Sequence, residues 1–143
     1  MRIIGKYDII ILAYNWISSL IYMCAQSEKT MLLKRKMYAK LLEWKRESKG
    51  SKAILIEGAR RIGKSTICED FAKNEYDNYI LIDFAKKDKD VEQYFESYLN
   101  DLDTFFMMLQ AHFGKRLKKR DAVIIFDEVQ MYPLARAAIK YLV

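Results

Sequence analysis

Eight consecutive residues constrain this chain more than anything else in it: Gly58, Ala59, Arg60, Arg61, Ile62, Gly63, Lys64 and Ser65. They match G-x-x-x-x-G-K-[ST] at every fixed position, the Walker A or phosphate-loop pattern. Such a loop works only between a buried strand and the first turn of a helix. Its glycines allow backbone conformations that a Cβ would oppose. Successive N–H groups then turn inward toward phosphate oxygens, and the helix directs its positive end at the same place. Lys64 is placed to put a charge on the β and γ phosphates, and the Ser65 hydroxyl to ligate Mg²⁺. Thr66 opens the same helix. Arg60 and Arg61 read equally well as phosphate contacts or as solvated side chains.

The flanks supply the required context. Ala53 to Glu57 (AILIE) is a short apolar run of the kind that forms a buried strand, and Lys64 to Glu75 carries Ile67, Phe71 and Ala72 at helical spacing. Tyr79 to Phe84 (YILIDF) reads as a second strand and Lys86 to Asp90 as a charged loop. Val91 to Leu99 and Leu102 to Leu117 read as helices, the second with a stripe of Leu102, Phe105, Phe106, Leu109 and Phe113. Ala122 to Phe126 (AVIIF) is a third strand, and Pro133 suits the first turn of a last helix. Upstream, Leu33, Met37, Leu41 and Trp44 mark one face of a helix over residues 32 to 48, with Gly50 as its stop. The alternation predicts an α/β fold, a three-layer sandwich with a mainly parallel sheet and helices on both faces.

The third strand ends in Asp127 and Glu128, 63 residues beyond Lys64. An apolar strand ending in acids is the Walker B pattern. At the carboxyl edge of an open α/β sheet it faces the ligand crevice. Asp127 is then expected to hold Mg²⁺, and Glu128 to act on an attacking water as general base. The run Asp127-Glu128-Val129-Gln130 has no glycine in the position a GTPase would show, and Asn-Lys-x-Asp is absent from the sequence. ATP with Mg²⁺ is therefore the expected ligand pair. Asp83 at the second strand's end is a weaker candidate for the same crevice, or a turn cap. Gln130 is a weaker candidate still, as a sensor of the γ-phosphate.

Charge and cysteine content narrow the partners. Of the net +6, residues 31–50 carry +5, from seven Lys or Arg against two Glu, while residues 51–143 balance. That segment could meet a nucleic acid, but the solvated face of a basic helix accounts for it as well. Cys24 and Cys68 show no metal or redox spacing, which points to a reduced, cytoplasmic setting. His112 has no partner motif and reads as structural or surface.

Residues 9–25 form a mostly apolar run of 17, at the lower limit of a membrane span and broken by Asn15, Ser18 and Ser19. Three readings stand: a membrane or partner anchor, a helix packed on the domain, or a leader foreign to it, with Met31 as the natural start. Residues 1–30 are accordingly set apart as a hydrophobic extension, and 31–143 as the nucleotide-binding domain.

The runs LIEGARRIGKST, RKMYAKLLEWK, YILIDF and VIIFDEVQMYPLARAAIKYLV together resemble a group of prokaryotic AAA-type ATPases over about residues 31 to 143. In that group a nuclease-like C-terminal domain of unknown function follows the ATPase domain. The resemblance implies phosphate and magnesium roles for Gly58, Gly63, Lys64, Ser65 and Thr66, and magnesium and water roles for Asp127 and Glu128. It implies hydrolysis of ATP to ADP and phosphate, and homo-oligomers, in the intact family architecture, with turnover weak or absent in a chain truncated at this point. It also implies a sheet ordered 5-1-4-3-2, with a sensor-bearing fourth strand between the phosphate-loop strand and the Walker B strand. The family's fourth and fifth strands and arginine finger would follow the last helix read here. The chain is therefore expected to be truncated, with a sheet that closes across the gap or leaves backbone groups unpaired, and with a marginal fold. A nucleotide binder without turnover is the alternative function, and a membrane- or nucleic-acid-associated binding protein a third.

Overall fold

Asp8–Tyr14 (DIIILAY) is a β-strand, β1, and it lies inside the sheet. A computed structural model describes residues 7–14, 28–59 and 61–143, with the side chains of 14 and 28–35 left aside. After β1 come α1 (Glu28–Ser48), β2 (Ile54–Gly58), α2 (Lys64–Glu75), β3 (Asn78–Asp83), α3 (Lys89–Tyr98), α4 (Leu102–Phe113), β4 (Ala122–Asp127) and α5 (Pro133–Leu142). The four strands pair in the order β2-β1-β4-β3, all parallel.

The expected gap between the phosphate-loop strand β2 and the Walker B strand β4 is therefore absent. The sheet neither closes across it nor leaves β2 and β4 unpaired on their facing edges, because β1 hydrogen-bonds to both. Ile11 is level with Leu55 on one side and Phe126 on the other. This also corrects the treatment of residues 9–25 as one element: their first part is strand, and residues 15–25 lie outside the described residues. Among the described residues, no helix is long and apolar enough to cross a membrane.

β1 suits a central strand because it is apolar on both faces, the pattern of a parallel sheet covered on both sides. Ile9 and Ile11 face a core shared with Phe95, Phe105, Phe106, Phe126 and Ala138, beneath α3, α4 and α5. Ile10 and Leu12 face the opposite core with Leu41, Ile67 and Phe71, beneath α1 and α2. Ile9, Ile10 and Leu12 are fully buried. Each such side chain contributes about 1.5–3 kcal/mol, so the strand as a whole matters against a typical net stability of about 5–15 kcal/mol.

A buried polar contact fixes the strand lengthwise. Asp8, 4% exposed, accepts a hydrogen bond from the Tyr76 hydroxyl (2.6 Å) and another from Ser48 Oγ (3.2 Å). These donors stand just past α2 and at the last residue of α1. The first residue of β1 is thus tied to the ends of both helices on that face.

Other boundaries shift for local reasons. The stretch read as a charged loop over 86–90 contains the start of α3, because the Asp88 side chain caps it by accepting from Asp90 N and Val91 N. α4 ends at Phe113, short of Leu117, because Gly114 takes a left-handed conformation (φ 60°) and Lys115 N donates to Gln110 O.

Burial, and then the Asp8 carboxylate it faces, raise the Tyr76 phenol above its ordinary 10.0. The folded state thus keeps this proton more tightly than the unfolded chain. Its contribution is complete below pH 10.0 and is lost as pH rises beyond that. Tyr76→Phe should cost about 1–3 kcal/mol at neutral pH, by leaving the buried carboxylate one donor short. Its stability should also decline less steeply than the wild type's above pH 10, as read by urea unfolding at a series of pH values.

Candidate functional site

The carboxyl ends of the strands meet at one edge. Tyr14 of β1 is level with Gly58 of β2, and Asp83 of β3 with Asp127 of β4. β2 ends at Gly58, and after a turn at 61–63 the chain enters α2 at Lys64. The turn needs its glycines. Gly63, at φ 83°, sits in the left-handed region immediately before the helix. At Gly58 an added Cβ would lie 3.0 Å from Ile62 Cδ1, so a side chain there would press on Ile62. Arg61 also has positive φ (63°) and is exposed, whereas Ala59 is buried and Ile62 half-buried. Arg60 lies outside the described residues.

Lys64 is buried and curls back over the loop, its Nζ donating to Gly58 O (2.7 Å) and Ala59 O (2.6 Å). Burial lowers the pKa of its ammonium, and the nearby Asp127 and Glu128 carboxylates oppose that shift. The next residue links the two halves of the site: Ser65 Oγ donates to Asp127 Oδ2 at 2.7 Å, across 62 residues of sequence. Asp127, 8% exposed, accepts with its other oxygen from Glu128 N at 2.9 Å. Thr66 is exposed on the first turn of α2.

After Asp127 the backbone turns sharply. Glu128 is left-handed (φ 52°, ψ 38°) and leads into a 3-10 turn, Val129–Met131, closed by Met131 N donating to Glu128 O at 2.8 Å. Gln130 Nε2 donates to Glu128 Oε2.

The structure thus brings Gly58, Ala59, Gly63, Lys64, Ser65, Asp127 and Glu128 to one edge of the sheet. Asp83 stands at the same edge but acts as a cap, accepting from Ala85 N at 3.0 Å. His112 is a surface link, its Nε2 2.9 Å from Asp88 Oδ2. The Gln130–Glu128 pairing was not foreseen in the sequence. Its only signal is an amide two residues after an acid, which many turns share.

A family model described as an AAA domain matches residues 50–143. The chain belongs to the AAA domain family. Neither the curated proteins nor the solved structures hold a match to it. As an AAA domain it is a nucleotide-binding, ATPase-like protein. The AAA match begins after α1, so β1 enters the AAA sheet from outside the matched residues.

Cys68 lies one turn beyond Lys64 on α2, fully buried. Burial pushes its thiol up to about 12, so almost no thiolate exists at neutral pH. In a Cys24→Ser background, Cys68 should resist a thiol-specific reagent at pH 8 and react only on unfolding. Fast labelling under native conditions would show that α2 is not docked on the sheet.

Proposed function

We propose that this chain binds ATP with Mg²⁺ in the loop 58–66 and hydrolyses it to ADP and phosphate. The observation that carries the reading is the Ser65–Asp127 hydrogen bond at 2.7 Å. It brings a hydroxyl and a carboxylate, both hard oxygen donors suited to Mg²⁺, beside a buried lysine at the mouth of a helix.

The residues present fit the ligand pair. Gly58 has no Cβ to press on Ile62 or crowd Lys64 at the loop. Lys64 now spends its charge on two loop carbonyls, and these are weaker partners than phosphate oxygens. Ser65 and Asp127 would hold the cation. ATP, when bound, supplies the γ-phosphoryl group and ADP as leaving group. The chain's own work is positioning and charge. The loop N–H groups and the start of α2 orient the phosphates, Lys64 offsets their charge, and Glu128 takes the proton from water as it attacks.

Anionic partners at α1 form a subsidiary part of the proposal. Lys36, Lys40 and Arg46 are exposed there, whereas Lys45 is committed to the Glu75 carbonyl and lies over the Tyr76 ring. Binding of DNA through this face would weaken steeply with added salt. Self-assembly belongs to the same reading, through the family.

Calorimetry with Mg-ATP should show saturable binding, weakened at least about a hundredfold in Lys64→Ala, which loses two charge-assisted contacts. Glu128→Gln should bind as the wild type does while turnover falls by about 10²–10⁴. Absence of binding in the wild type would refute the proposal. Binding without any turnover would favour a nucleotide-binding protein that does not hydrolyse.

A further inference from the structure

Glu128 is held in an unusual way. It has left-handed backbone angles without being glycine, asparagine or aspartate, a strained conformation that persists where the surroundings enforce it. The enforcement is visible. Phe126 and Val129 are buried in the core on either side, and the Glu128 backbone is tied through its N–H to Asp127 and through its carbonyl to Met131. The side chain is then caught by Gln130, whose amide donates to Glu128 Oε2. The nitrogen must be the atom facing the carboxylate, since the flipped amide would set two acceptors against each other.

The other end of that amide is anomalous. Gln130 Oε1 is buried and has no hydrogen-bond partner among the described residues. An unsatisfied buried carbonyl destabilises the fold, because it has given up water without gaining a donor. An apolar side chain of similar length would pack there without that penalty. Gln130 is thus a poor choice for stability, and its one satisfied contact is to Glu128.

We propose that Gln130 is a positioning residue for Glu128: its amide fixes the carboxylate's direction at the sheet edge, at a cost to the stability of the fold. The inference rests on Glu128 acting in ATP hydrolysis, as read above. Without the amide, the carboxylate loses one contact that restrains its direction and spends less time aimed at the water it must deprotonate.

The two roles open to Gln130 give opposite signatures. If its role is only structural, replacement lowers the melting temperature and leaves turnover alone. If it positions Glu128, replacement by an apolar residue keeps or raises the melting temperature, leaves Mg-ATP affinity within about twofold, and lowers kcat at least about tenfold with KM unchanged. The experiment compares wild type, Gln130→Leu and the unbranched Gln130→Met, in thermal melts without nucleotide, in calorimetry with Mg-ATP and in phosphate release. Glu128→Gln serves as the inactive control. The expected result is that at least one apolar variant melts no lower than the wild type and has lost turnover. Unchanged turnover in a folded variant, or a lowered melting temperature in both, overturns the inference alone. A wild type that binds Mg-ATP but releases no phosphate overturns the hydrolytic reading, and the inference with it.

Discussion

The two halves of the site are carried by strands that are not paired with each other. β2 delivers the loop with Lys64 and Ser65, β4 delivers Asp127 and Glu128, and β1 lies between them with hydrogen bonds to both. The 2.7 Å contact from Ser65 to Asp127 is made across that intervening strand. Its length therefore depends on the spacing β1 imposes. Neighbouring strands lie about 4.8 Å apart, so removing one and closing the sheet would shift one half of the site by that distance. Asp8 sets the position of β1 along its own axis through Tyr76 and Ser48. A buried contact at the amino end of the sheet thus bears on geometry at its carboxyl end.

The edge so assembled has a particular charge balance. One buried ammonium faces two carboxylates, and burial opposes the lysine's charge while the acids favour it. Lys64 satisfies itself with loop carbonyls, and Asp127 uses one oxygen for Ser65 and the other for the Glu128 amide. Each polar group has a partner that a nucleotide or a cation could replace, so exchange of partners need not leave a buried charge alone. Among the described residues, Gln130 Oε1 is the exception. Local cost beside a reacting group is where strain commonly accumulates.

Much of this was legible in the sequence, for identifiable reasons. The α/β class followed from alternating apolar runs, and the loop from fixed spacing backed by a strand before it and a helix after it. Asp127 and Glu128 were legible because a strand ending in acids has meaning once a phosphate loop precedes it. The role of residues 8–14 was not legible. IIIL is a β-branched run of strand length, but it continues into an apolar stretch that reads as one longer element, and nothing local says where in a sheet a strand inserts. The chain order of the strands was also a poor guide, since the first strand takes an interior place. Asp8 was missed because a lone acid before an apolar run gives no hint that a tyrosine 68 residues on will reach it. Gln130 was legible only as a weak candidate for a γ-phosphate sensor, and its amide contact to Glu128 was not read. The left-handed turn that folds one onto the other is set by burial of Val129, a tertiary effect.

The central claim is that β1 builds the nucleotide site by holding β2 and β4 apart, although it contributes no residue of the Walker A or Walker B pattern. The most direct measurement is Mg-ATP calorimetry on the full chain beside a chain beginning at Met31, with a thermal melt of each. The account predicts saturable binding and a cooperative melt for the full chain, and loss of both without residues 1–30. Equal affinity in the two chains, with an equally cooperative melt, would contradict it and show that the site forms without β1.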